Sequence, residues 1–191
     1  VAAGKIKPTE LSASQVEKLS QSKTPKIAAL AKIALASVIP PSRAEVTAKF
    51  ASAVTTKGDA ARGKAHYLGR CQICHKAEGN GMELGPDLIT VKAKGRDALL
   101  TAILDPHKEV APQYIAYDVN TRDGNAYTGM ITRDDATSLA LKIMGGAEIS
   151  LPRSNIKGSS SSGKSLMPEG LEAGLSVQDM ADLLTFIEEL K

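Results

Sequence analysis

The sequence of 191 residues has no tryptophan, and aromatic residues make up only 3% of it. Hydrophobic residues as a whole reach 42%, so we expect a packed core that has few large rings to fill it. The longest apolar run, residues 27–39, is rich in alanine and is interrupted by Lys32, so no transmembrane segment is predicted. The net charge of +3, with both signs interspersed, argues against a nucleic-acid partner.

Cysteine is also scarce, because Cys71 and Cys74 are the only two, and His75 follows them directly. Cys-x-x-Cys-His is the attachment signature of c-type haem. The two thiols add across the vinyl groups of one porphyrin, and the adjacent imidazole reaches the iron from that side. A buried porphyrin would also supply the apolar bulk that the aromatic-poor composition lacks. The motif therefore predicts one covalently bound haem c with His75 as an iron ligand, and it leaves no cysteine for a disulfide.

Two other uses of this cysteine pair remain as weaker alternatives. A redox dithiol would be expected in a βαβ context of thioredoxin type, whereas here a short helical stretch precedes the motif. A structural zinc site would need two further cysteines or histidines at suitable spacing, and the sequence contains no second Cys-x-x-Cys and no His-x-x-x-His.

Residues 1–57 carry signals for helices. Three patterns mark helix starts and one proline pair marks a helix end: Ser12 with Gln15, Thr24-Pro25, Ser42 with Glu45, and Pro40-Pro41. We therefore predict an N-terminal helical segment over residues 1–57. It could be a remnant of an α-solenoid or a helical cap on the domain that follows.

A second domain is predicted over residues 58–191. Helices are expected after Asp59, over residues 96–104 and after Ser176. Between them, apolar residues alternate with polar ones, which indicates a meander of three to four antiparallel strands over about residues 115–151. The stretch 158–165 (GSSSSGKS) has the composition of a flexible linker.

The second domain resembles the class I cytochromes c. In that family a glycine and an aromatic residue, four apart on the first helix, cross against the last helix. Gly63 and Tyr67 match the first helix, Leu183 and Phe186 match the last, and residues 85–88 match the loop after the haem motif. The resemblance implies a mainly α fold: a cytochrome c-like helical haem domain with an inserted small antiparallel β meander, preceded by the N-terminal helical segment.

The separation of His75 from Met167 exceeds that of a minimal class I cytochrome, and the meander accounts for the excess. Residues 58–191 therefore look more like the haem-binding cytochrome c domains of planctomycetes and related bacteria. Such domains often end large secreted proteins that carry propeller-type dehydrogenase and helical-repeat regions. This resemblance implies electron transfer with a redox partner protein, such as an associated or fused dehydrogenase.

Two further residues are predicted to complete the haem site. A carbonyl at Gly85-Pro86 is expected to accept a hydrogen bond from the second ring nitrogen of His75, so Pro86 is included. Met167 is the expected sixth ligand of the iron, since it lies in a loop before the last helix, where the family's ligand methionine lies. His107 is the main rival, and an open or water-bound position is the other alternative. The remaining methionines are not expected to bind iron: Met82, Met130, Met144 and Met180.

A His/Met-ligated iron has both axial positions filled, so the predicted function is single-electron transfer rather than catalysis, although the domain could be a module of a larger dehydrogenase. The alternative is a haem-based sensor or a domain that binds CO or NO, if residues 158–165 let the sixth ligand dissociate. Lys64, Arg70 and Lys76 could steer an acidic partner or be ordinary solvated charges. Because haem is attached outside the cytoplasm, we expect a periplasmic or otherwise extracytoplasmic location.

Overall fold

The computed structural model describes residues 7, 11, 13–35 and 42–191. It divides into two compact units, Val1–Val46 and Thr47–Lys191, and each is described by itself. The predicted division between residues 57 and 58 falls inside the second unit and stays a prediction.

The first unit contains helix α1 (Ala13–Ser20), helix α2 (Pro25–Ala34) and the start of helix α3 (Arg43–Phe50), and α1 packs against α2. Helix α2 begins at Pro25 after its N-cap Thr24, as predicted. A reciprocal cap opens α3, because the Ser42 backbone N–H donates to Glu45 (3.0 Å) and the Glu45 N–H donates to the Ser42 hydroxyl (3.3 Å). The predictions at Ser12 and at Pro40-Pro41 lie outside the described residues.

The helices of the second unit lie on both sides of the haem motif in the sequence. A 3₁₀ turn (Ala51–Val54) continues α3, and four further helices follow: α4 (Ala60–Arg70), α5 (Leu88–Val91), α6 (Arg96–Leu104) and α7 (Val177–Glu189). Helix α6 has the predicted bounds. Helix α7 follows Ser176, as predicted, and Ser176 and Asp179 form a reciprocal cap at its start. Arg96 of α6 links the segment after α3 to α7. Its guanidinium donates to the Thr56 carbonyl (2.8 Å) and forms an ion pair with Glu188 of α7 (2.8 Å).

A five-stranded antiparallel sheet lies between α6 and α7 in the sequence. Its strands are β1 (Ile115–Thr121), β2 (Ala126–Asp134), β3 (Ser138–Ile143), β4 (Glu148–Pro152) and β5 (Ile156–Ser165), in the spatial order β4-β3-β2-β1-β5. One cluster of buried side chains forms its apolar core: Val119, Leu139, Leu141 and Leu151. The alternating pattern that predicted the first four strands follows from this core, because successive residues of a strand point to opposite faces.

Two expectations about the fold are wrong. The protein is about 42% helical and 23% strand, so its class is not mainly α. Residues 158–165 are not a flexible linker, because they belong to β5, which pairs with β1 from Ile115↔Ser165 to Thr121↔Ile156. The pairing uses backbone groups, so it tolerates glycine and serine. Because β5 is an edge strand with mostly exposed side chains, its composition looks like that of a linker.

Candidate haem site

The two cysteines and the histidine lie on one tight turn at the end of α4. The backbone N–H groups of Cys74 and His75 donate to the Cys71 carbonyl at 3.0 and 2.8 Å. Tyr67, fully buried one helical turn earlier, places its hydroxyl 2.9 Å from the His75 carbonyl and 2.9 Å from the Asn80 carbonyl. Burial raises the pKa of this phenol, so it stays protonated and able to donate. Tyr67 therefore holds the turn from inside.

The imidazole of His75 is fixed by the loop that follows it. Its Nδ1 lies 2.8 Å from the Pro86 carbonyl oxygen, and a carbonyl can only accept, so Nδ1 carries the proton and Nε2 keeps its lone pair. Burial lowers the pKa of this imidazole, opposed by the bond to Pro86, and the neutral form is the one that binds metals. Gly85 lies against the ring, because a Cβ there would be 2.4 Å from Cε1 of His75.

A cavity of about 320 Å³ opens in front of this imidazole. All five sequence-predicted site residues line it: Cys71, Cys74, His75, Pro86 and Met167. Much of the remaining wall is apolar and comes from α5, α6, α7 and the sheet, for example Leu88, Leu99, Ile103, Met130 and Ile187. Burial raises the pKa of the Cys71 thiol to about 11, so in the haem-free chain this sulfur is a neutral thiol. A largely apolar cavity with two thiols and one neutral imidazole on its wall fits a porphyrin.

The crossing of α4 and α7 sets the position of the attachment turn. A Cβ on Gly63 would lie 2.0 Å from the Asp182 carbonyl oxygen, so only glycine allows the helices to approach this closely. The ring centroids of Tyr67 and Phe186 are 5.3 Å apart. The Asp182 side chain is fully buried and accepts hydrogen bonds from Arg62, at 2.6 and 3.0 Å, and from the Asp59 backbone N–H at 2.8 Å. Arg62 lowers the pKa of this carboxyl to about 2, so it is ionised at neutral pH.

The family model for cytochrome c matches residues 60–191, which is most of the chain. The protein belongs to the cytochrome c family. No curated protein matches the sequence. Cytochrome c domains carry electrons on covalently attached haem c, so the cofactor is haem c with its iron, and a redox partner follows from that role. Such domains are typically extracytoplasmic. No described helix of this cytochrome is long and apolar enough to span a membrane.

The methionines of the cytochrome lie in different environments. Met167 and Met130 both line the cavity. Met167 follows β5 directly, and its backbone N–H donates to the Ser165 hydroxyl at 3.0 Å. Met180 is fully buried in α7, whereas Met82 and Met144 are 43% and 48% exposed. The alternating pattern of β2 did not reveal that Met130 would face the haem cavity.

The predicted rival His107 does not line the cavity. Its Nε2 lies 4.0 Å from the Glu169 carboxylate, and its Nδ1 is buried without a hydrogen-bond partner in the described part of the chain. Within that part, no group of three or more His, Cys, Asp or Glu is placed so that it could hold a metal ion.

Polar groups on the cavity wall can hold the acidic substituents of the cofactor. Lys94, Gln113 and Tyr114 all line the cavity. Each is a hydrogen-bond donor, and haem carries two propionate groups that only accept when ionised. Sequence reasoning did not find these residues, because none of them belongs to a motif.

Proposed function

We propose that this cytochrome carries single electrons on one haem c, which Cys71 and Cys74 would attach and whose iron His75 and Met167 would bind. Bound haem supplies a one-electron couple between ferric and ferrous iron. The observation that carries the proposal is that His75 and Met167 line the same largely apolar cavity. The Nδ1 of His75 donates its proton to the Pro86 carbonyl, so its Nε2 is free to bind a metal. Thioether ligation and burial both favour the ferrous state, which suits electron transfer at a high potential.

The chain's own residues keep the site rigid and closed to substrates. Pro86 holds the ring of His75, Tyr67 holds the backbone of the attachment turn, and Ser165 holds the backbone of Met167. If His75 and Met167 both bound the iron, a small molecule could reach it only after one of them left. The proposed role is therefore electron transfer and not catalysis at the iron.

The proposal extends to partner and location. The resemblance to planctomycete-type domains favours a dehydrogenase as electron donor, either associated or fused, and attachment of haem favours a periplasmic or other extracytoplasmic site. The alternative of a CO or NO sensor was motivated by a flexible stretch before Met167. That stretch belongs to strand β5, so the reason for expecting a sixth ligand that dissociates easily no longer holds.

Absorption spectroscopy of the holoprotein tests the axial ligands. Met167→Leu and Met130→Leu both replace a cavity-lining thioether with an apolar side chain of similar volume. We expect Met167→Leu to lose the far-red sulfur-to-iron band, to become high-spin and to bind CO rapidly when reduced. Met130→Leu should keep the low-spin spectrum. Loss of the sulfur band in Met130→Leu, but not in Met167→Leu, would contradict the proposed ligand set.

A further inference from the structure

The segment between β5 and α7, residues 166–175, carries Met167 and is called here the methionine loop. Much of its middle is exposed to solvent. A hydrogen bond from the Ala173 backbone N–H to the Gly170 carbonyl (3.0 Å) folds it into a turn, and Gly170 has a left-handed φ of +89° that favours glycine. This turn shapes the loop locally, and so it does not by itself fix the distance of the loop from the haem-attachment turn.

A cation of helix α4 reaches the middle of the methionine loop. The Arg70 guanidinium donates to the Leu171 carbonyl oxygen at 3.2 Å, although the two residues are 101 positions apart in the sequence. Arg70 is the last residue of α4 and directly precedes Cys71, so this bond joins the haem-attachment turn to the loop of the proposed sixth ligand. Hydrogen bonds from charged donors are stronger than those between neutral groups, and this one is partly buried.

The backbone that carries Arg70 is firmly anchored. The Cys71 N–H closes the last turn of α4 on the Tyr67 carbonyl (2.8 Å), and Tyr67 is fully buried. Gly63 lets α4 approach α7 closely, and α7 begins directly after the methionine loop. Arg70 therefore extends from an anchored helix to a loop whose own turn does not set its position.

Arg70 differs from Arg62 and Lys64 of the same helix, which form ion pairs with carboxylates. Lys64 pairs with Glu78 and Arg62 pairs with Asp182, both at 2.6 Å. Within the part of the chain that the structure describes, no carboxylate lies within ion-pair distance of Arg70, and its partner is the loop carbonyl. Arg70 does not line the haem cavity, so any effect that it has on the iron must pass through the methionine loop.

We propose that Arg70 is a positioning residue for the sixth iron ligand, because its bond to the Leu171 carbonyl keeps the methionine loop close to the attachment turn. The assignment rests on the proposed function, in which Met167 binds the iron. Since Arg70 acts through the loop, its loss should leave haem attachment intact and let Met167 dissociate more often. Ferrous iron would then be more open to CO, which binds only where the sixth position is vacant.

Rates of CO binding to the ferrous holoprotein after rapid mixing test this role. Arg70→Met removes the donor and keeps an unbranched side chain. We expect CO to bind at least about fivefold faster than in the unaltered protein, as the loss of a partly buried hydrogen bond from a charged group implies. The content of covalent haem should not change. Arg70→Lys keeps a charged donor, so it should bind CO more slowly than Arg70→Met.

Lys64→Met is the matched control, because it removes the same charge from the same helix and the partner of Lys64 is Glu78. It should leave the rate of CO binding unchanged. Amide hydrogen exchange of the holoprotein gives a second measurement. The Ala173 amide, which closes the turn of the methionine loop, should exchange faster in Arg70→Met than in Lys64→Met.

Three results would overturn the proposal. One is that Arg70→Met and Lys64→Met have equal rates of CO binding or equal exchange of the Ala173 amide. Another is that Arg70→Lys binds CO as fast as Arg70→Met. The third is loss of covalent haem in Arg70→Met, since Arg70 would then serve attachment and not the methionine loop. Failure of the proposed function looks different, because the unaltered ferric protein would then lack the far-red sulfur-to-iron band.

Discussion

The two sides of the haem cavity are built in different ways. On the side of His75, the residues that hold the imidazole and its backbone are Tyr67, Gly85 and Pro86, which are close to it in the sequence. On the side of Met167, the loop is set by strand β5, which pairs with β1, some forty residues earlier. The first side is therefore a local structure with a recognisable motif, and the second depends on long-range pairing.

The inserted sheet thereby takes part in the haem site at three places. Strand β5 leads into Met167, Met130 of β2 lines the cavity, and Met144 contacts Cys74 at the exposed edge. In register, Met130 lies opposite Lys142, so both share the sheet face that meets the helical part of the domain. A sheet that leads into Met167, lines the cavity through Met130 and contacts Cys74 through Met144 is part of the site rather than a separate module.

The largest effect is expected from a substitution of Gly85, on the His75 side of the haem cavity. Gly85→Ala would place a Cβ 2.4 Å from Cε1 of His75, and such an overlap must displace the ring or the backbone. We expect the bond from His75 to Pro86 to be lost and low-spin holoprotein to fall severalfold or more, because overpacking costs about 1–3 kcal/mol. Covalent haem per chain and the ferric spectrum measure this.

Gly69→Ala is the control, since a Cβ there meets nothing within 4 Å and alanine favours the helix. Unchanged haem content and an unchanged spectrum in Gly85→Ala would contradict the proposal that the close contact of Gly85 with the ring orients His75.

A smaller effect is expected at the crossing of α4 and α7, which supports the attachment turn on the His75 side of the cavity. Asp182→Asn removes the charge that Arg62 binds, and we expect a loss of about 2 kcal/mol in the free energy of unfolding at pH 7. The pKa of Asp182 is lowered from 3.8 to about 2, so its stabilisation is complete above the unfolded value. It is lost as the pH falls towards 2.

Denaturant unfolding of the wild type and the variant, at pH 7 and at pH values between 4 and 2, checks the sign of this effect. The difference in stability should shrink as the pH falls through that window. Arg62→Gln and the double variant complete a cycle that isolates the pair. A difference that does not change with pH would show that the carboxylate charge is not what stabilises the crossing.

The smallest effect is expected on the Met167 side of the cavity, from removing one hydrogen bond to the loop that carries Met167. Ser165→Ala removes the acceptor of the Met167 N–H, which costs about 1 kcal/mol, or roughly a fivefold change in an equilibrium. We expect CO to bind the ferrous protein correspondingly faster, because Met167 dissociates more often. Ser162→Ala, on the same strand β5, is the matched control, since the Ser162 hydroxyl donates to the Ala116 carbonyl of β1 (2.8 Å) and has no bond to Met167. Equal rates of CO binding in the two variants would contradict the proposal that the Ser165 hydroxyl keeps Met167 in place.

The same contrast explains what could be predicted from the sequence. The motif at residues 71–75 and the helix caps at Asp59 and Ser176 are local signals, and the structure has the helices where they were expected. Strand β5 was missed because its side chains carry no apolar pattern and its partner β1 is distant. Met130 was missed because alternation along a strand does not tell which face meets the cavity. The ion pair of Arg62 with Asp182 joins α4 to α7, and neither helix alone reveals it.

X-ray absorption at the iron edge of the ferric holoprotein identifies the atoms that bind the iron. We expect a nitrogen shell with a single sulfur ligand, from the porphyrin, His75 and Met167, and loss of that sulfur in Met167→Leu. A shell of nitrogen alone, or of nitrogen and oxygen, in the unaltered holoprotein would contradict the proposed ligand set.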